Sequence, residues 1–298
     1  MNKSEHFKSG FVAVVGRPNV GKSTMINALI GDKIAIVSDK AQTTRNRIIC
    51  VYTDEEKQIV FMDTPGVHKP KHKLGEFMVD AAIESLKETE AVLFVVAGNE
   101  KRGPGDNFII EQLKRVKVPV FLVVNKIDTL QKEQLLEAIV SYQDAYPFAG
   151  VIPISAKNKD NLEELLNVLS KNLPEGPQYF PEDMITDQPE RLIISDIVRE
   201  KILLSTRDEI PHAIAVDVDE MKTRDDGTTY IRATIYCERD SQKGIIIGKK
   251  GALLKQLGAE ARADIQKLLA TKVYLDLWVK VKKDWRNKSG MLSELGYK

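Results

Sequence analysis

Residues 11–24 read Phe-Val-Ala-Val-Val-Gly-Arg-Pro-Asn-Val-Gly-Lys-Ser-Thr. Five apolar residues, Phe11–Val15, run directly into Gly16-x-x-x-x-Gly21-Lys22-Ser23, and a helical pattern, Lys22–Leu29, follows. At average composition, a chain of this length matches that spacing by accident on the order of one time in a hundred. The context is the one the chemistry needs, a glycine turn between a buried strand and a helix N-terminus. Backbone N–H groups of Gly21, Lys22, Ser23 and Thr24 surround a phosphate there, with Arg17, Pro18, Asn19 and Val20 forming the rest of the loop. Lys22 neutralises the outer phosphates, and the Ser23 hydroxyl is a magnesium ligand.

Working outward, continuously apolar runs recur at Arg47–Tyr52, Gln58–Met62, Ala91–Ala97, Val118–Val124 and Val151–Ile154. Amphipathic stretches lie between most of them: Glu76–Lys87, Asp106–Arg115, Lys132–Tyr146 and Asn161–Leu169. Apolar strands separated by helices predict a parallel sheet covered on both faces. Only Thr53–Lys57 joins the second and third strands, which is too short for a crossover and forces a hairpin. The fold class expected is therefore an α/β domain with a six-stranded, mostly parallel sheet and one antiparallel edge strand.

The other informative motifs fall at strand ends, where open α/β sheets bind ligands. Asp63-Thr64-Pro65-Gly66 offers a carboxylate to the magnesium shell and a glycine N–H to a terminal phosphate. Asn125-Lys126-Ile-Asp128 offers a carboxylate that accepts from both N1–H and the 2-amino group of guanine, donors adenine lacks. Asn125 braces the phosphate loop, and Ser155-Ala156-Lys157 completes the base pocket through the Ala156 N–H. Thr43 and Thr44 lie in a polar segment, Ser38–Arg45, able to fold over the nucleotide and supply a further metal ligand. His68 and His72 read as solvated loop residues.

These four motifs, in this order, resemble the translation-factor-type GTPases over residues 8–175. The resemblance implies binding of GTP and GDP with magnesium held by Ser23, Thr44 and Asp63, Thr44 being favoured because it precedes Arg45. Catalysis would then rest on Asn19, Lys22, Thr44 and Gly66. Ras-like enzymes orient the attacking water with a glutamine after the glycine of D-x-x-G; Val67 stands there and cannot polarise water. Asn19 matches an asparagine that binds potassium in related GTPases, so slow, potassium-stimulated hydrolysis is expected.

After Leu173 the texture changes. Prolines 174, 177, 181 and 189 mark an expected linker at 176–189, between domains at 1–175 and 190–298. A helix (Glu190–Leu204), two strands (Ala213–Met221, Thr229–Glu238), a helix (Ala252–Leu269) and a strand (Val273–Val281) follow. Before the long helix stands Ile245-Ile246-Ile247-Gly248-Lys249-Lys250-Gly251. A lone G-x-x-G is nearly worthless, since about one arises by chance in a chain this long. Inside a β-α-GxxG-α-β unit it is the core of an α+β KH domain, here in the type II order. Lys249 and Lys250 meet phosphates; Ile246, Ile247 and Leu254 build the groove for unstacked bases, beside Gly248 and Gly251. Net charge supports an anionic partner, with 12 Lys+Arg against 5 Asp+Glu in 240–290. Trp278, in an alternating strand, reads as core, whereas Trp285 is open to either role.

GTPase motifs with Val67 after D-T-P-G, joined to a type II KH domain, resemble the Era family across nearly the whole chain, Gln42-Thr-Thr-Arg45 included. The resemblance implies binding near the 3′ end of small-subunit ribosomal RNA in the assembling subunit, by a monomer. It also implies some peripheral association with the inner face of the cell membrane. A rival is an RNA-binding module whose affinity nucleotide switches while turnover is incidental. An RNA-modifying enzyme is disfavoured: Cys50 and Cys237 sit in strands, and no cofactor motif occurs. Two distant cysteines, and no run near the ~18 apolar residues a membrane span needs, predict a reducing cytosol.

Overall fold

The computed structural model describes residues 6–38, 40, 42–67, 70, 72–208 and 210–297. Two compact units divide it, one of 1–35, 44–71 and 75–187, the other of 36–43, 72–74 and 188–298.

In the first unit β1 (Lys8–Val15), β2 (Ile48–Thr53), β3 (Lys57–Asp63), β4 (Ala91–Ala97), β5 (Val120–Asn125) and β6 (Gly150–Pro153) form one sheet, ordered β2-β3-β1-β4-β5-β6. Every neighbouring pair is parallel except β2/β3. That exception is the predicted hairpin, and it places β2 at the edge. Each residue of β4 is buried, because helices cover both faces. One face packs Met25, Ile26 and Leu29 of α1 (Lys22–Ile30) and Leu162, Leu165, Leu166 and Leu169 of α5 (Leu162–Asn172). Each such leucine contributes roughly 2 kcal/mol of burial. The other face takes α2 (Lys73–Glu84), α3 (Pro104–Leu113) and α4 (Lys132–Gln143), through Val79, Ile109, Ile110, Leu113 and Tyr142.

Most of the segment expected as the linker, 176–189, packs onto this unit, which runs to Asp187. The β2 edge has unpaired backbone groups, and a neighbouring extended segment satisfies them. Cys50 and Thr186 form an antiparallel bridge, Val51 N–H donates to the Ile185 carbonyl at 2.9 Å, and Thr186 Oγ1 donates to the Ile49 carbonyl at 2.7 Å. Buried Gln58 accepts from the N–H of Tyr179 at 2.8 Å and of Phe180 at 2.9 Å.

The second unit holds α6 (Glu190–Ser205), a short α7 (Ile210–Ala213), β7 (Ala215–Thr223), β8 (Thr229–Cys237), α8 (Asp240–Ile247), α9 (Ala252–Leu269), β9 (Val273–Val281) and α10 (Ser289–Glu294). Its sheet is ordered β7-β8-β9, antiparallel then parallel. Helices cover one face only, where Ile194, Val198, Leu257, Ala261 and Ile265 meet Ile231, Ala233 and Ile235. Trp278 departs from expectation, and Trp285, left open by the sequence, resolves as core. Trp278 shares its register with Tyr274 on the uncovered face and is 52% exposed. Trp285 is fully buried in a 3₁₀ turn, donating Nε1–H to the Ala213 carbonyl at 2.9 Å and stacking on Tyr297.

Candidate nucleotide site and nucleic-acid groove

The carboxyl ends of β1, β3 and β5, with the loop after β6, converge on one region, as the topology requires. Gly16 follows β1 against β4, where a Cβ would collide with the Val95 carbonyl. Gly21 has φ +96°, a left-handed conformation that side chains disfavour, and opens α1. Lys22 is 6% exposed, and its ammonium donates to the carbonyls of Gly16 at 3.1 Å and Arg17 at 3.0 Å. Burial lowers its pKa to about 8, against the opposing pull of Asp63. A phosphate brought here meets a buried cation whose charge is incompletely balanced.

Ser23, Thr44 and Asp63, the three expected metal ligands, meet. Ser23 Oγ donates to Asp63 Oδ2 at 2.7 Å and lies 3.0 Å from Thr44 Oγ1, which is 3.4 Å from the same carboxylate oxygen. Asp63 is fully buried, and its Oδ1 has no hydrogen-bond partner among the described residues. Burial raises the pKa of this carboxyl, while Lys22, Ser23, Thr44 and the Thr64 N–H pull it down. Hard oxygen donors around an orphaned carboxylate oxygen fit a small divalent cation.

Asn125 is the hinge of the base side. Its Nδ2 donates to the Val20 carbonyl at 2.9 Å, and its Oδ1 accepts from Lys126 N–H at 2.8 Å and Ala156 N–H at 3.0 Å. Three loops are thereby tied through one side chain that is 2% exposed. The Ala156 N–H, expected to face the base, is engaged with Asn125 instead. Asp128 is exposed, and its Oδ1 accepts from Ser155 Oγ at 2.7 Å, which fixes the carboxylate's orientation.

The remaining loop residues divide by role. Thr64 is a strand tie, Oγ1 donating to the Val14 carbonyl at 2.7 Å. Gly66 lies so close to Pro18 that a Cβ would fall 2.7 Å from its backbone. Val67 is 4% exposed, packed with Met62, Val79 and Val15, so its side chain turns into the core. Asn19 is exposed at the loop tip with φ 64°. Thr24 is half-buried in the first turn of α1, and Lys157 is exposed. His68 lies outside the described residues; His72 stands just before α2. Arg17 points away from the loop, its Nε donating to buried Asp106 at 2.9 Å and its guanidinium meeting Glu100 at 3.0 Å. Nothing local in the sequence marks this tether, because Asp106 reads as an ordinary residue of the first turn of α3.

In the second unit Gly248 (φ 73°), Lys250 (φ 52°) and Gly251 (φ 79°) make the turn between α8 and α9. A Cβ on Gly248 would lie 2.8 Å from that of Leu253. Lys249 and Lys250 are exposed at the tip. Beside the turn, a cavity of about 410 Å³ runs between α9 and β9, lined by Gly251, Leu254, Lys255, Gly258, Ala259, Arg262, Leu275 and Leu277. Leu254 is among these lining residues. Ile246 is not: it is fully buried in the core, because the helical period turns Ile245 outward and Ile246 inward. Ile247 is half-buried. Lys255, Gly258 and Arg262 follow Gly251 at helical spacing, a signal the sequence carried.

The fold and the first site define a P-loop protein of the guanine-selective kind. The family described as 50S ribosome-binding GTPase matches residues 11–126, and the KH domain family matches 209–286. The chain is similar to Era crystallised with MgGDPNP and nucleotides 1506–1542 of 16S ribosomal RNA: 43% identical, TM-score 0.95, covering 98% of this chain and 99% of that one. An Aquifex aeolicus Era variant bound to GDP and aluminium fluoride gives 43% identity and TM-score 0.94 over the same shares. The chain belongs to the Era family of GTPases.

Proposed function

We propose that this protein is a GTP-hydrolysing switch that binds small-subunit ribosomal RNA near its 3′ end and acts in small-subunit biogenesis. The observation that carries the reading is the 43% identity, over 98% of the chain, to an Era captured with MgGDPNP and 16S ribosomal RNA. Magnesium sits between Ser23, Thr44 and Asp63 and balances charge on the β- and γ-phosphates. Lys22 and the N–H groups of Gly21 to Thr24 hold those phosphates, Asp128 reads the guanine, and Gly66 senses the γ-phosphate. The RNA backbone crosses Gly248–Gly251 beside Lys249 and Lys250, and bases enter the groove at Leu254.

Asn19 would hold potassium, and the ion would supply the positive charge that an arginine finger gives elsewhere, offsetting the lack of a glutamine at Val67. Hydrolysis is then faster in potassium than in sodium, and Asn19→Ala removes the difference; equal rates in both salts for wild type would overturn this. No helix among the described residues is long and apolar enough to cross a membrane. The protein is cytoplasmic, with a fraction held peripherally on the inner membrane face. Crosslinking to cellular RNA, with and without a non-hydrolysable GTP analogue, tests the main reading. Enrichment of the 3′-terminal region of small-subunit RNA is expected, and a pool without ribosomal enrichment in either state would overturn it.

A further inference from the structure

Arg17 stands at the first variable position of the phosphate loop, yet its half-buried side chain lies across the first turn of α3. Its Nε donates to Asp106 Oδ1 at 2.9 Å, and its Nη2 donates to Glu100 Oε2 at 3.0 Å. Two edges of one planar guanidinium thus hold two carboxylates, a geometry that a lysine ammonium does not reproduce. Asp106 is fully buried, and its Oδ2 accepts from Gly103 N–H at 2.8 Å. Exposed Glu100 also lies 3.6 Å from Nζ of Lys126, in the base-reading motif. Its carboxylate therefore ties the phosphate loop to the base loop from outside, as Asn125 does from within.

Gly105 supplies the second observation. Glycine inside a helix lowers its stability relative to alanine, and Gly105 stands in the first turn of α3. A Cβ at that position would fall 2.9 Å from Cδ and 3.1 Å from Cγ of Arg17. An ordinary surface ion pair needs neither a buried carboxylate nor room cleared for the arginine stem.

We propose that Arg17 is a positioning residue of the nucleotide site, seated by Gly105, Asp106 and Glu100; the inference rests on the guanine-nucleotide reading above. The Arg17 side chain anchors the loop to α3, and its carbonyl accepts from Lys22 Nζ at 3.0 Å. The seat thereby holds the loop backbone and Lys22 ready before phosphates arrive. Preorganisation of this kind acts on affinity, because bound phosphates themselves fix the loop once they are in place.

The full chain is tested by equilibrium binding of a fluorescent GDP analogue and by kcat and KM for GTP. Arg17→Lys and Arg17→Ala should both weaken GDP binding by about tenfold, with kcat within about threefold of wild type, since lysine keeps the charge and loses the fork. Glu100→Gln has a smaller effect that fades at high salt. Gly105→Ala is the sharpest variant, because it removes no charge. It should weaken GDP binding about fivefold alone, yet cost no affinity and raise Tm in the Arg17→Ala background. Wild-type affinity in Arg17→Lys would show that Arg17 acts through charge alone. Equal effects of Gly105→Ala in both backgrounds, or a fall in kcat as large as the loss of affinity, would show a merely structural role. Either result would overturn the proposal, whereas a wild type that binds no GDP would overturn the nucleotide-site reading itself.

Discussion

The nucleotide site and the KH groove use polar groups in opposite ways. Around the phosphate loop, Lys22, Asp63, Thr44 and Asn125 are all buried, and they bond to one another or to loop backbone. In the groove, Lys249, Lys250 and Lys255 are exposed above half-buried leucines. A buried, mutually bonded set responds to loss of one member as a unit, since orphaned partners keep their desolvation cost. An exposed cationic rim loses affinity in increments and answers to salt. The first arrangement suits one small ligand held in fixed geometry; the second suits a chain of phosphates and bases.

The largest expected effect tests the buried set. Asn125→Ala leaves the Val20 carbonyl and the Ala156 N–H without their partner, and GTP affinity should fall on the order of a hundredfold. Equilibrium binding of a fluorescent GTP analogue reads this, and a change of only a few-fold would show that the three loops stand independently. Next comes the rim. Lys249→Glu with Lys250→Glu should weaken RNA binding by roughly tenfold or more and reduce the log–log salt slope by about two, leaving RNA-free hydrolysis intact. An unchanged slope would place the RNA elsewhere.

Smaller still is a proton effect. With Lys22 titrating at about pH 8 in the free site, phosphates bound beside it favour the charged form. Binding of GDP above about pH 8 should therefore take up to one proton, with affinity falling as pH rises by at most about tenfold per unit. Calorimetry in buffers of different ionisation enthalpy measures the uptake, and proton release would reverse the assigned sign. Smallest is Trp278→Ala, for which a stability loss of no more than about 1.5 kcal/mol is expected by denaturant unfolding, because the residue is 52% exposed. A larger loss would show that the uncovered sheet face is energetically part of the core.

The legibility of each part in the sequence follows from how local its cause is. Gly16–Ser23, Asp63–Gly66 and Asn125–Asp128 are contiguous, each with a fixed chemical task, and the structure brings them to one region at the strand ends. Arg17 and Asp106 are 89 positions apart, and nothing local marks their pairing. The packing of 179–186 against β3 and β2 escaped for the same reason: prolines announce the end of a helix but not what the extended chain touches. Trp278 was legible and misread. Val273, Leu275, Leu277, Val279 and Val281 alternate along β9, so the intervening positions, Trp278 among them, turn to the uncovered face. Trp285 has no such period, since a 3₁₀ turn after the last strand carries no repeat to read. Ile246 shows the same lesson in a helix, where three consecutive isoleucines cannot all face the groove.

Coupling between nucleotide and RNA is the central claim, and one measurement reaches it directly. The affinity of the full chain for an RNA spanning the 3′ end of small-subunit ribosomal RNA is determined with GDP and with a non-hydrolysable GTP analogue, at matched salt and magnesium. The account predicts affinities that differ by at least about fivefold between the two nucleotide states. Equal affinities would contradict it, leaving a GTPase and an RNA-binding domain that merely share a chain.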